Sequence, residues 1–571
     1  MQRGFVRIGL AQTNAKVGDL NANSEKIIGY IEKAHRCGVD IVVFPETSTC
    51  GYPPEDLLLK EHFVNDNLKA LNVIIKNTAG ITAIVGFVDK DKNKNLYNAA
   101  AIIHNCRLTG VYHKMRLPNY GVFDERRYFK PGEENAIYKL GGLLFGVSIC
   151  EDIWQDDGPH IAQAEAGARL LINLSASPYH TGKNLERERL LSWRARKTNS
   201  FICYTNLIGG QDELVFDGGS IIVNQKGRVI ASGKNFEEDF VLADLPIGLL
   251  VPSSQRRKKI RKLTLRVISK EFQPSNRPSI PKHISRRLSD LAELYSALAL
   301  GTKDYMKKNG FEKAVIGLSG GIDSSLTAAI AVDAIGKENI IGVSMPSHYS
   351  SEETKSDART VAENLGIKFI VVPIDAIFNI YMIMLEKDFF GLSRDITEEN
   401  LQARIRGNIL MALSNKFGWF VLATGNKSEI ATGYCTLYGD MAGGFAVIKD
   451  VPKTLVYKLA RLRNNKGPTK IIPDTVFERA PMAELKYNQK DSDTLPPYDI
   501  LDPLLKEYIE ENKSFGQIVG KGRDESVVKK VIAMVDKSEY KRRQAPPGVK
   551  ITPRAFGKDR RLPITNGYKE Y

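Results

Sequence analysis

The chain lacks paired cysteines. Its six, Cys37, Cys50, Cys106, Cys150, Cys203 and Cys435, are scattered with no Cys-x-x-Cys, which argues against a disulfide framework and a structural zinc site. None of its eight histidines falls in a His-Glu-x-x-His, the signature of many zinc hydrolases. Nothing approaches the roughly twenty apolar residues of a membrane span, and Met1-Gln-Arg-Gly-Phe-Val lacks a secretory apolar core, so a cytoplasmic protein is expected. The nucleotide loop that ends in Gly-Lys-Ser/Thr is absent as well, and there is no internal repeat or low-complexity tract.

What is present is 571 residues, 43% hydrophobic and 26% charged, a globular composition long enough for roughly two to four domains. The net charge of +15 would suit nucleic acid or anionic small substrates. Much of it is local: six of the seven residues 256–262 are basic, and 540–543 and 558–561 add more. No aromatic residues interleave with the first run, so it reads as a solvated face rather than a nucleic-acid site.

One stretch organises the rest. In Ala314-Val-Ile-Gly-Leu-Ser-Gly-Gly-Ile-Asp-Ser-Ser325 an apolar run predicts a buried strand, Ser-Gly-Gly a tight turn, and the spacing after Asp323 a helix. Glycines allow close backbone approach, and the free N–H groups at a helix start favour an anion. A phosphate site is expected at Gly317, Leu318, Ser319, Gly320, Gly321, Ile322, Asp323 and Ser324. The stretch resembles the pyrophosphate loop of the ATP pyrophosphatase superfamily, whose members split ATP into AMP and pyrophosphate.

Before it, residues 1 to about 265 alternate strands and helices. Strands are expected at 5–12, 40–44, 82–88, 143–150, 169–175 and 201–206, and a helix at 23–37. Several strands end on polar or reactive residues, where chemistry collects in helix-covered sheets. Glu46 follows one after a proline, Cys150 closes another, and Lys114 lies in His113-Lys-Met-Arg-Leu-Pro-Asn-Tyr120. A cysteine attacks as its thiolate, which a base such as Glu46 can generate, and a cation such as Lys114 can steady a developing oxyanion. Singly, a cysteine on an apolar strand is usually core and a Glu or Lys usually surface; spacing alone does not join the three.

Phe44-Pro-Glu46, the Lys114 segment and Cys150-Glu-Asp-Ile-Trp154 together resemble the nitrilase superfamily, thiol amidases with a Glu-Lys-Cys triad in an α-β-β-α sandwich. Leu117-Pro-Asn-Tyr-Gly-Val-Phe-Asp-Glu125 and Ser177-Pro-Tyr-His-Thr-Gly-Lys183 are similar to its glutaminase branch. That resemblance implies glutamine contacts at Tyr120, Ser177 and Lys183.

Prolines 274, 278 and 281 with neighbouring serines and basic residues mark a linker, with a short strand possible at 262–267. The domains are set at 1–265, a linker 266–285, and 286–571. A helix is expected from 288 to 309, then strand, helix and strand at 340–345, 352–365 and 368–372, which implies a parallel sheet with right-handed crossovers. The fold class is α/β: a nitrilase-like sandwich followed by a doubly wound, Rossmann-like ATP pyrophosphatase domain.

Downstream, 399–406, Ala423-Thr-Gly-Asn-Lys-Ser-Glu429, 434–440, Pro481-Met-Ala-Glu-Leu485 and Leu495-Pro-Pro-Tyr-Asp499 resemble the NAD synthetase family, and with the N-terminal half its glutamine-dependent form. The likeness implies amidation of deamido-NAD with ATP and glutamine. Thr424 and Lys453 would meet ATP; Asn400, Arg404, Glu429, Asp440 and Lys541 would meet deamido-NAD; Asp323 and Glu429 would hold magnesium, for which oxygen ligands are suited. It also implies at least a homodimer through the synthetase domain and no nucleic-acid or membrane partner. Ammonia is protonated in neutral water, so an internal tunnel between the two sites is expected. Two positions depart from the family pattern: Met482 stands where serine is frequent, and Tyr540 where histidine is expected. A tRNA-modifying enzyme would need a sulfur-carrying cysteine pair or an RNA-binding module, and Cys435 is the only cysteine after residue 203. An amidase fused to an inactive nucleotide-binding regulator is disfavoured by the intact Asp323 and Glu429.

Overall fold

The computed structural model describes residues 4–251, 263–270 and 280–571, except 468 and 488; the basic run 256–262 lies outside the described residues. The chain divides into two compact units, Met1–Gln211 with Val215–Leu288, and Asp212–Leu214 with Ser289–Tyr571.

In the first unit, strict alternation of side chains builds a four-layer stack. Ile41 and Val43 point into a core that also holds Phe145, Val147, Ile149, Ile172 and Leu174 from a second sheet. Val42 and Phe44 point the other way, onto Ile27, Ile31, Leu71 and Ile74 of the helices Leu20–Arg36 and Glu61–Lys76. The outer face of the second sheet, through Leu144, Leu171 and Ile202, packs on Ala164, Leu191 and Ala195 of the helices Pro159–Glu165 and Lys183–Thr198. Helix, sheet, sheet, helix is thus the order of layers. The sheets have six and seven strands; of the strands that feed the site, Ile41–Val43 is parallel to both its neighbours, and Leu143–Ile149 is parallel to Leu170–Ser175 and antiparallel to Asn135–Leu140.

Of the linker expected at 266–285, residues 271–279 lie outside the described residues; the flanking parts, 266–270 and 280–285, belong to the first unit rather than to a linker. Leu263–Ser269 is a strand that pairs in parallel with Asn135–Leu140 at the edge of the seven-stranded sheet. Further on, Ser232 N donates to the His283 carbonyl at 2.8 Å and Ser285 N to the Ser232 carbonyl at 3.1 Å. The first unit therefore extends to Leu288. The short strand read at 262–267 is thus present over Leu263–Ser269, as an edge strand of the sheet.

The second unit is built on a five-stranded parallel sheet in the order Lys368–Val371, Ile340–Ser344, Ala314–Gly317, Phe420–Ala423, Phe445–Ala446. The chain moves outward from the central strand in one direction, then returns to its other side. That reversal beside Ala314–Gly317 is a topological switch point, where the loops beyond the strand ends separate into a crevice. The glycine loop leaves the sheet there and enters the helix Ile322–Ile335. Among the described residues no helix is long and apolar enough to cross a membrane.

Candidate active sites

In the first unit, Glu46 sits just past its strand because Gly86 lets the turn lie flat on the neighbouring strand: a Cβ there would come within 2.2 Å of the Pro45 carbonyl oxygen. Glu46 Oε1 accepts from Lys114 Nζ at 2.6 Å and from Asn98 Nδ2 at 2.7 Å, and Oε2 accepts from Ala176 N at 2.9 Å. Neither side chain of the Glu46–Lys114 pair is exposed at all. Lys114 Nζ also donates to Glu125 Oε1 at 2.7 Å, and the same oxygen accepts from Tyr52 Oη at 2.9 Å.

Cys150 begins a short 3-10 turn at the end of Leu143–Ile149 with φ of +44°, a sparsely populated conformation for a residue with a Cβ. Burial, reinforced by the charge of Glu46 and opposed by Lys114, pushes its thiol well above the usual range. Burial works against the Lys114 charge too, but Glu125 and Glu46 more than reverse this and keep it an ammonium. Burial raises the Glu125 carboxyl against the pull of Lys114.

The segments that bear Cys150 and Lys114 are joined by a residue the sequence did not single out. Asp152, fully buried, accepts at Oδ2 from Ile149 N at 2.9 Å and Tyr112 Oη at 2.7 Å. At Oδ1 it accepts from Met115 N at 3.1 Å and Arg116 N at 2.8 Å. Burial lifts its carboxyl to about 6 despite these donors. Glu125 was likewise not assigned a role from sequence.

The three glutamine candidates lie around the same turn. Tyr120, 58% exposed, donates from Oη to Glu151 Oε2 at 2.8 Å. The Lys183 ammonium stands 3.8 Å from the centre of the Trp154 ring and 3.1 Å from Glu186. Ser177 follows the Glu46-bound Ala176; its N–H donates to Asn206 Oδ1 at 2.9 Å and its Oγ accepts from Arg187 Nη2 at 3.4 Å. The buried Arg187 is itself paired with Asp217 at 3.1 Å.

In the second unit the glycine loop wraps one end of a cavity of about 290 Å³ lined by Gly317 to Asp323, Thr424, Asp440 and Lys453. Gly320 has φ of +81°, and a Cβ on it would fall 2.2 Å from the Thr354 carbonyl oxygen, so only glycine fits. Ser324 Oγ donates to the Gly321 carbonyl at 3.1 Å and tightens the turn. A second cavity of about 180 Å³ shares Ser319, Asp323, Thr424, Asp440 and Lys453 and adds Ser324, Glu429 and Asp491.

Lys453 Nζ pairs with Asp323 and, at 3.4 Å, with Glu429 Oε1. Burial opposes its charge, but the two carboxylates raise it above the usual lysine range. Burial also raises the Glu429 carboxyl, against Lys453 and with the help of Asp323. Two converging carboxylates suit magnesium of the kind that takes its remaining ligands from water and phosphate. Among the described residues no group of three or more His, Cys, Asp or Glu forms a cage of its own.

Asn400, Arg404 and Lys541 line neither cavity. Asn400 Oδ1 accepts from Thr436 Oγ1 at 2.7 Å, Arg404 Nε donates to the Leu437 carbonyl at 3.3 Å, and Lys541 Nζ donates to the Gly433 and Cys435 carbonyls at 2.8 and 2.7 Å. All three thus brace the segment 433–440 that ends in Asp440.

Comparison with known proteins agrees with both halves. Residues 7–253 match the carbon-nitrogen hydrolase family model and residues 294–545 the NAD synthase model. The chain is 50% identical over 574 residues to a glutamine-dependent NAD(+) synthetase of Thermotoga maritima, covering 99% of each. It is 48% identical over 577 residues to the one of Aquifex aeolicus, covering 99% of this chain and 100% of that one. Among solved structures, that of a glutamine-dependent NAD+ synthetase from Acinetobacter baumannii in complex with ADP superposes with a TM-score of 0.76 at 40% identity, over 99% of this chain and 100% of the other.

Proposed function

The chain belongs to the glutamine-dependent NAD(+) synthetases, and we propose that its first unit releases ammonia from glutamine while its second uses ATP and that ammonia to amidate deamido-NAD. The observation that carries this reading is the wholly buried Glu46–Lys114 pair at 2.6 Å in the same unit as a thiol held protonated by burial and by the Glu46 charge.

A neutral thiol needs a base at the moment of attack, and Glu46 is the carboxylate that acts on Cys150 most strongly. Glu46 takes the proton as Sγ bonds to the amide carbon of glutamine. The carbonyl oxygen gains charge, which the Lys114 ammonium stabilises. The proton returns to the nitrogen, the C–N bond breaks and ammonia leaves. Water, deprotonated by Glu46, then opens the thioester to glutamate. Tyr120, Ser177 and Lys183 hold the glutamine.

In the second unit a carboxylate must become a better electrophile before ammonia will react with it. The nicotinate carboxylate attacks the α-phosphorus of ATP, pyrophosphate departs along the loop 319–324, and an NAD-adenylate results. Ammonia then displaces AMP and leaves NAD. Lys453, held charged, steadies the phosphates, Thr424 meets the nucleotide, and Asn400, Arg404, Asp440 and Lys541 order the dinucleotide through the segment they brace. Asp323 and Glu429 would hold magnesium, which when bound neutralises charge that builds on the phosphates. Ammonium has no lone pair to attack with, so the ammonia passes between the sites internally. Apolar side chains left exposed at Ile380, Ile383, Met384, Phe390 and Leu392 support a homodimer formed through this unit.

The experiment follows the oxygen. With deamido-NAD carrying heavy oxygen in its carboxylate, AMP acquires the label and pyrophosphate does not. Label in a phosphate product other than AMP would contradict adenylation.

A further inference from the structure

Glu429 and Lys453 sit on separate segments, the start of the short helix Lys427–Thr432 and the first turn of Lys453–Asn464. Both segments are tied to a third residue that lines neither cavity. Asp502, in the helix Tyr498–Leu505, is only 7% exposed. Its Oδ1 accepts from Ser428 Oγ at 2.5 Å; its Oδ2 accepts from Thr454 N at 2.8 Å and from Thr454 Oγ1 at 2.7 Å. Ser428 Oγ in turn accepts from Lys453 N at 2.9 Å. The residues immediately beside Glu429 and Lys453 are therefore fastened to a single carboxylate.

The helix Lys453–Asn464 starts on Pro452 and has no side-chain cap of its own. Asp502 supplies the missing acceptor at the end where free N–H groups and the helix dipole favour an anion. Packing alone would not require a charge here: Leu501, Leu504 and Leu505 of the helix Tyr498–Leu505 that carries Asp502 already bury themselves against Ile430 and Ala431. The carboxylate adds something the apolar contact lacks, a directional link between the Glu429 segment and the Lys453 segment.

We propose that Asp502 is a positioning residue for the ATP site: it fixes the spacing of Glu429 and Lys453, and so the affinity for magnesium and ATP, without touching either. This rests on the assignment of Asp323, Glu429 and Lys453 to metal and phosphates.

The test uses the full chain with ammonium as the nitrogen source, comparing wild type with Asp502→Ala, Asp502→Asn and Thr454→Val. Magnesium and ATP are titrated separately; KM for deamido-NAD, glutamine hydrolysis without ATP, and the melting temperature are followed alongside. Groups that hold a metal ligand in place typically affect metal affinity by about ten- to a hundred-fold. Asp502→Ala should raise half-saturating magnesium and KM for ATP by about ten-fold or more. Asparagine, which keeps one acceptor, should recover part of the loss, and Thr454→Val, which removes one donor, should show a smaller shift in the same two parameters. Glutamine hydrolysis should stay at the wild-type level, and KM for deamido-NAD should shift less than KM for ATP. Magnesium and ATP dependences that stay at the wild-type level in folded variants overturn the inference, as does a uniform shift of all substrates together with the melting temperature, the mark of a scaffold residue. Should Asp502→Ala fail to fold, the asparagine and valine variants decide by the same criteria. A wild-type enzyme indifferent to magnesium or ATP would overturn the assignment of the site itself, an outcome distinct from unshifted variants of a wild type that requires both.

Discussion

Lys114 Nζ lies 2.6 Å from Glu46 Oε1 and 2.7 Å from Glu125 Oε1, so one buried ammonium balances two buried carboxylates. Such a group answers differently to removal of its different members, because a buried charge left without its partner is the costly state.

Replacement of Lys114 by methionine leaves both carboxylates without a cation. Glutamate release should fall by about a hundred- to a thousand-fold from the lost oxyanion donor, and the first unit should lose about 3–5 kcal/mol of stability. A kinetic assay with glutamine and a denaturant titration measure the two effects. Activity lost with stability intact would mean that the carboxylates are not ionised together.

Glu125→Gln keeps the shape and leaves Lys114 its bond to Glu46. A drop in glutaminase kcat of about ten- to a hundred-fold is expected from a misaligned ammonium, with KM for glutamine little changed. A KM effect alone would place Glu125 in substrate binding.

Asp152 makes the first unit's stability depend on pH. Burial raises its carboxyl from 3.8 to about 6 in the folded state, so the folded protein binds this proton where the unfolded chain has lost it. The contribution is full below pH of about 4 and is lost as pH rises through about 6. Measured as the difference between wild type and Asp152→Asn, stability should therefore decline by about 2–3 kcal/mol between those limits. A difference that is flat with pH, or rises, would contradict the buried charge.

Much of this arrangement is legible in the sequence because it is local. Apolar runs end where the strands Ile41–Val43 and Leu143–Ile149 end, and the glycines of 317–321 announce a turn whether or not the rest of the fold is known. The carboxylates Glu125, Asp152 and Asp502 are legible only in three dimensions. Asp502 meets Ser428 across 74 residues and Asp152 meets Arg116 across 36, and nothing in a lone acidic residue distinguishes such a bridge from a solvated side chain. The edge strand Leu263–Ser269 is half legible: its run reads as a short strand at 262–267, but its pairing partner, Asn135–Leu140, is remote, so its place in a sheet rather than a linker does not show in the sequence.

Gly320→Ala separates the two units functionally. With φ of +81° and a backbone oxygen 2.2 Å from the added carbon, the loop must move, at a strain of about 1–3 kcal/mol before the clash is counted. NAD formation with ammonium should fall by at least about ten-fold, whereas glutamine hydrolysis continues. Equal loss of both reactions would show that the variant has unfolded more than the loop.

The most direct test of the two-site account is NAD formation from deamido-NAD, ATP and magnesium by wild type and by Cys150→Ala, each given either glutamine or ammonium. The account predicts that the variant makes no NAD from glutamine and makes it from ammonium as wild type does. A variant that still uses glutamine, or that loses ammonium as well while remaining folded, would contradict it.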